Sequence, residues 1–160
     1  VGGRYHSSVV VPRLSFPVVE LFGVGNMPRI WLLIAGLLGA SGVGLGAYQA
    51  HGLEKMLARR ELSREVIERR LDNCDTAAKY QLFHALALLG IASLDGRRPS
   101  RWLKVSASLF TAGVVAFSGG LYLIVFAGTP VHWAIVPTGG LLLTLGWMAL
   151  AATAASRASE

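Results

Sequence analysis

Four blocks of apolar residues, each long enough to cross a bilayer, alternate with polar joints along this chain. The first covers about residues 30–50 without a charge, IWLLIAGLLGASGVGLGAYQA. At about 1.5 Å of rise per residue, a helix of that length crosses a hydrocarbon core of about 30 Å. The second, about 76–94, opens polar and turns apolar, and Lys79 near its start reaches the interface by snorkelling. The third covers about 102–127 and the fourth about 133–155, joined by the short uncharged turn GTPVH. Trp102 and Trp133 stand where an aromatic belt would place them. Pro99 keeps the linker at 95–104 from continuing either flanking helix, and Pro137 falls near the start of the fourth block, where a first turn tolerates it. The pattern predicts an all-α membrane protein, a four-transmembrane-helix bundle.

The joint between the first two blocks has a pattern of its own. Lys55, Arg59, Arg60, Arg64, Arg69, Arg70 and Lys79 are set against Glu54, Glu61, Glu65, Glu68, Asp72 and Asp75, so the charges nearly cancel. Leu53, Met56 and Leu57, then Ile67, Leu71 and Cys74, recur at helical spacing. This predicts an amphipathic connection between helices one and two, either helices lying at the interface or a solvated helical hairpin. Residues 1–26 are poorly periodic and interrupted by Pro12 and Pro17. They are expected to be a disordered tail or an over-extended gene start with Met27 as initiator, and 27–160 a single transmembrane domain. Arg29 before an apolar run also fits a signal peptide, but the run exceeds a usual apolar region of that kind and ends without a small-x-small cleavage site.

Composition agrees with lipid as the solvent. Of the 160 residues 53% are hydrophobic and only 15% charged, against about a quarter charged in soluble domains. The formal charge of +6 is carried in the joints rather than interleaved with aromatics on one surface, so no nucleic-acid partner is expected. Cys74 is the single cysteine, which excludes an internal disulfide and a thiol-exchange pair. No Asp or Glu lies within the four blocks, a poor match to proton-coupled exporters that exchange protons on a membrane carboxylate. Counted literally, the positive-inside rule gives nearly a tie, because the joint between the first two blocks holds as many basic residues as the other side; both termini are expected in the cytoplasm because Arg29 and the cluster Arg97, Arg98, Arg101 and Lys104 abut span ends.

Polar groups inside the spans are the candidates for function. His51, Tyr80, Gln81, His84 and His132 form the candidate polar cluster, with Tyr48, Gln49 and Tyr122 as further contributors. The three imidazoles fall toward one membrane face, where groups from separate helices could ligate a metal or haem. The competing reading is hydrogen bonding between helices, with water or a lipid headgroup bound at most, and it is the one adopted: no catalytic residue, metal or cofactor is expected. Gly42, Gly46, Gly119, Gly120, Gly139 and Gly140 read as helix-packing positions rather than phosphate loops.

Four motifs in order, GAYQAHGL at 46–53, YQLFHALAL at 80–88, FSGGLYL at 117–123 and PTGGLLLTLGW at 137–147, resemble the YgdD-like family. This is a group of small inner-membrane proteins classed as domain of unknown function four-two-three, with a eukaryotic transmembrane relative. The resemblance implies a compact four-span fold in a bacterial inner membrane or a derived organelle, and no reaction. His51, Tyr80, Gln81 and His84 match recurring positions of its motifs; Tyr48 and Gln49 depart from the Phe and Gly often found there. The function expected is that of a non-enzymatic accessory or scaffold protein in the lipid bilayer, with a homo-oligomer or membrane-protein partner. The alternative is a small transporter or channel using the His/Tyr/Gln cluster.

Overall fold

The structure is a computed structural model and describes residues 29–129 and 131–157. Helix α1 covers Arg29–Tyr48 and passes through one π-helical turn, Gln49–Leu53, into the short α2, Glu54–Ala58. Helix α3 covers Arg64–Arg97, α4 Arg101–Phe126 and α5 Ile135–Arg157. Among the described residues four helical stretches are long and apolar enough to span a membrane. The protein is thus an all-α, four-span membrane protein, as the apolar blocks predict. Neighbouring spans in the chain pack on one another: α1 on α3, α3 on α4, and α4 on α5.

Local chemistry sets where the helices stop. Ser63 caps α3 by accepting the Val66 N–H, and the turn before it places Glu61 at φ 54°. Ser100 caps α4 by accepting the Trp102 N–H, while its own N–H donates to the buried Asp95 carboxylate at 3.1 Å. One acidic side chain therefore folds the tight joint between α3 and α4. Gly128, at φ +66°, ends α4 in a conformation that an L side chain adopts only with strain. His132 accepts the Ala134 N–H at 3.4 Å in the lead-in to α5.

The charged connection is the hairpin of the two alternatives. The first stretch is helical over 30 residues and α3 over 34, about 45 and 51 Å at 1.5 Å per residue, so both arms overrun a 30 Å hydrocarbon core. Their projecting ends do not lie flat at an interface. Leu53, Leu57 and Cys74 instead bury completely against Val125 of α4, with Met56, Ile67, Leu71 and Phe126 around them. Two arginines fasten this headpiece: Arg60 Nη1 donates to the Phe126 carbonyl at 2.8 Å and Arg70 Nη1 to the Val125 carbonyl at 3.3 Å. Those carbonyls belong to the last turn of α4, which has no further helical N–H to receive and carries the negative end of the helix dipole.

The closest packing is between α4 and α5. A Cβ placed on Gly113 would lie 2.5 Å from Leu143, on Gly120 2.9 Å from Val136, on Gly146 2.5 Å from Phe110, and on Gly139 2.8 Å from the Phe117 Cα. Each glycine thus faces a larger residue of the other helix, and the large and small members alternate between the two. In α1, Gly42 leaves no room for a Cβ beside Leu82, whereas a Cβ on Gly46 would make an ordinary contact with Ala78 at 3.9 Å. A Cβ on Gly140 would likewise meet the Phe117 ring at an ordinary 3.8 Å. Gly119 is a correction to the expected packing set, since a Cβ there would meet nothing within 4 Å. Adjacent helical residues point about 100° apart, and in the pair 119–120 it is Gly120 that faces α5.

The contrast gives a direct test. Gly139→Ala, which collides with backbone, should destabilise the protein by about 1–3 kcal/mol and lower its melting temperature in detergent. Gly119→Ala should melt with the unaltered protein. Equal melting of the two variants would contradict the seam.

Candidate functional site

His84 is buried where α3, α4 and α5 meet, at 4% exposure. Helix α3 brings its ring back over the preceding turn, where Nδ1 lies 2.7 Å from the Tyr80 carbonyl, and α5 brings the Trp147 indole N–H to Nε2 at 3.2 Å. A carbonyl only accepts, so Nδ1 carries the proton; the indole only donates, so Nε2 presents its lone pair. The two contacts together specify a neutral imidazole in the Nδ1–H tautomer. Both ring nitrogens are occupied, and metal or haem ligation through Nε2 would require breaking the Trp147 bond.

Aromatic rings enclose this pair. Phe110 meets the His84 ring at 5.0 Å and the Trp147 ring at 5.0 Å, both edge-on. Tyr80 lies 4.8 Å from Phe117 and 6.2 Å from His84. Phe110 and Phe117 are also the residues that rest on Gly146 and Gly139. The glycine seam and the ring cluster are one construction.

Gln81, beside His84 in the sequence, faces a different neighbour. Its amide Nε2 donates to the Leu38 carbonyl and to Ser41 Oγ of α1, each at 2.8 Å, while Ser41 Oγ donates to the Leu37 carbonyl at 2.7 Å. Gly42 is the reason α3 comes close enough, because a Cβ there would stand 3.4 Å from that same Nε2. The other packed pairs have similar links: Ser118 Oγ of α4 donates to the Ala77 carbonyl of α3 at 2.9 Å, and Ser106 Oγ of α4 to the Gly146 carbonyl of α5 at 2.8 Å.

The five residues of the expected polar cluster do not form one group. Tyr80 and His84 come together, Gln81 turns to α1, and His51 and His132 are elsewhere and exposed. Leu82 of α3 packs at Gly42, so His51 stands at least nine residues, about 14 Å, further along α1 than the level of His84. The three histidines therefore do not share a membrane face: His84 lies within the spans, while His132 stacks on Trp133 at the entry to α5. Among the described residues no group of three or more His, Cys, Asp or Glu is arranged to hold a metal ion. Tyr48 packs on Phe126 and over Gly52, and the buried Tyr122 hydroxyl has no hydrogen-bond partner.

His51 occupies the π-helical turn Gln49–Leu53. With Gln49, Glu54, Lys55 and Leu71 it lines a surface cavity of about 300 Å³. Single π-helical turns inside α-helices recur at functional positions, and this one falls within the GAYQAHGL motif.

The known proteins that this chain is similar to fit this picture. Residues 45–140, from the approach to the π-helical turn through the first residues of α5, match the family model described as "Protein of unknown function (DUF423)". This chain belongs to that family. A UPF0382 membrane protein of Haemophilus influenzae is 36% identical over 125 residues, covering 78% of this chain and 93% of its own. One from Staphylococcus saprophyticus is 35% identical over 122 residues, covering 76% and 93%. The UPF0382 inner membrane protein YgdD of Escherichia coli K12 is 34% identical over 119 residues, covering 74% and 84%. No solved structure matches. The resemblance carried by the four motifs is therefore membership, and this DUF423 protein is a multi-pass membrane protein of an inner-membrane family.

Sequence reasoning missed several residues that hold the site. Trp147 and Phe110 complete the surroundings of His84, Gly113 and Gly146 complete the seam, and Ser41 receives Gln81. The available signal was spacing: Phe110, Gly113, Phe117 and Gly120 advance by 3, 4 and 3 residues, as do Val136, Gly139, Leu143 and Gly146. Two such series on consecutive spans can interlock.

The tautomer is measurable. Nitrogen-15 shifts of His84 in detergent should report a protonated Nδ1 and a bare Nε2, and Trp147→Phe should cost about 0.6 kcal/mol and no more than about 1.7. An Nε2–H tautomer, or metal-shifted resonances, would overturn the assignment.

Proposed function

We propose that this DUF423 protein is a non-enzymatic accessory or scaffold protein of the membrane, with the helical headpiece as the part that meets a partner. The observation that carries this reading is how the polar groups within the spans are used. Gln81, Ser106, Ser118, His84 and Trp147 each join one helix to another. That is the behaviour of polar groups as interhelical glue. A pathway for solute needs groups that exchange partners during a cycle, and a neutral imidazole held on both sides is a poor carrier of protons.

The headpiece supports the partner role. Its exposed face carries the ion pairs Arg64–Glu68, Arg69–Glu65 and Lys79–Asp75 at helical i,i+4 spacing. Exposed pairs of this kind contribute little to stability, so a dense mixed-charge surface is better explained as a recognition surface than as a source of stability.

The two ends carry similar numbers of Lys and Arg, so the orientation with both termini in the cytoplasm rests on how compactly one joint holds them against the span ends. At the headpiece end, Arg60 and Arg70 are bound to carbonyls of α4 and three more basic groups face carboxylates. The other joint packs Arg97, Arg98, Arg101 and Lys104 into eight residues without an acid between them, the kind of short loop that the positive-inside rule retains in the cytoplasm.

Two measurements test these readings. Isolated in mild detergent, the protein should retain a stoichiometric membrane partner that is lost on reversing the headpiece charges with Glu65→Lys and Glu68→Lys. Monomer alone under varied growth conditions, with solute flux in proteoliposomes that His84→Ala abolishes, would favour the transporter reading instead. For orientation, a Cys74→Ser, Ser100→Cys variant in intact cells should resist an impermeant thiol reagent until the membrane is opened. Labelling from outside would reverse the topology.

A further inference from the structure

We propose that the cavity beside the π-helical turn is a binding site for a phospholipid headgroup, with the phosphodiester between His51 and Lys55 and the ammonium of an aminophospholipid at Glu54. Three observations lead there. The first is pairing. Five basic groups of the headpiece are engaged, Arg60 and Arg70 with carbonyls and Arg64, Arg69 and Lys79 with acids. The side chains of His51, Glu54 and Lys55 have no hydrogen bond or salt bridge among the described residues, Glu54 facing Arg64 only through the longer-range attraction of their charges. They stand at i, i+3 and i+4, one face of a helix, and all three line the same cavity of about 300 Å³.

The second observation is depth. Gly46 of α1 lies level with Ala78 of α3, where a Cβ on the glycine would reach it at 3.9 Å, just below the Lys79–Asp75 ion pair, and the uncharged run of α1 ends at Ala50. His51 therefore begins the layer just outside the hydrocarbon. Headgroups occupy about 5–7 Å on each side of the core, and the four residue steps from His51 to Lys55 rise about 6 Å. The cavity and the headgroup layer coincide.

The third is chemistry. The imidazole and the ammonium of Lys55 supply N–H donors for phosphodiester oxygens, and the Lys55 stem can lie along apolar surface while its charge stays in the headgroup layer. Glu54 is the discriminating group. Two basic groups alone would favour any anionic lipid, whereas a carboxylate beside them disfavours a headgroup without a compensating cation and pairs with a primary ammonium. Leu71 supplies the apolar wall on the α3 side, against which the glycerol end of a headgroup can rest.

The test uses the full chain in nanodiscs of equal parts phosphatidylethanolamine, phosphatidylglycerol and phosphatidylcholine, released for native mass spectrometry. The unaltered protein should retain phosphatidylethanolamine about threefold over the other two, the preference expected of one exposed ion pair. His51→Ala with Lys55→Ala should lose the retained lipid, and Glu54→Gln should keep a bound lipid but transfer the preference to phosphatidylglycerol. These are exposed positions, and unchanged melting temperatures will show that folding is intact. Equal retention of the three lipids by the unaltered protein, or unchanged retention in the double variant, overturns the proposal. So does millimolar inorganic phosphate binding to delipidated protein with loss in the double variant while no lipid is retained, because the phosphate source would then be free phosphate rather than a headgroup.

Discussion

Helices inside a bilayer gain nothing from hiding apolar surface, since lipid tails are as apolar as leucine; they associate through close contact and through hydrogen bonds that lipid cannot offer. The seam between α4 and α5 meets this constraint by placing a glycine opposite each large residue. Phe110 rests on Gly146, Leu143 on Gly113, Phe117 at Gly139 and Val136 on Gly120. The two helices run antiparallel and their series advance in opposite directions by the same steps, so the seam fixes register as well as distance. A shift by one residue would set large side chains against each other and leave glycines unfilled.

The rest of the membrane region follows from that register. With Phe110 and Phe117 held in place, their rings form the walls around His84 and Tyr80. Trp147, next to Gly146, is placed to give its indole proton to His84. On the far side of α3 the same logic recurs at smaller scale, where Gly42 admits Gln81 to the α1 backbone. Close approach comes first, and hydrogen bonds become available where it has been achieved. The headpiece is built on different terms, in contact with water: a small apolar core of Leu53, Leu57, Cys74 and Val125, closed by arginines on the unsatisfied carbonyls of α4.

The spans were readable from sequence because lipid imposes one dominant rule, that about twenty apolar residues must occur together. The predicted block at 102–127 and helix α4 at Arg101–Phe126 differ by one residue at each end. The hairpin was readable as one of two alternatives, because amphipathic spacing describes a helix on a membrane and a helix on a protein core equally well; the carbonyls that bind Arg60 and Arg70 are distant in sequence. The candidate cluster was the weakest part of the reading. Tyr80, Gln81 and His84 were identified by residue type, but neighbours on a helix surface can face different helices. Gln81 found Ser41 and His84 found Trp147, partners determined by interhelical register rather than local pattern. Residues 1–26 lie outside the described residues.

The polar side chains of this protein thus fall into two populations with different physical roles. Those within the spans are committed to one another, and breaking one such bond leaves a group unsatisfied where no water can reach it; their effect is to select a single arrangement of helices. The side chains of His51, Glu54 and Lys55 around the π-helical turn make no hydrogen bond or salt bridge among the described residues, and they follow directly on the end of the uncharged run of α1. The extra residue of a π-helical turn interrupts the regular i to i+4 backbone ladder, and such an interruption has a cost unless something around it compensates. Here it lies where α1 leaves the hydrocarbon, with its polar side chains around a cavity, while the four spans beneath it remain regular helices. An interaction at this end can therefore vary without disturbing the packing below, as the proposed accessory role would require.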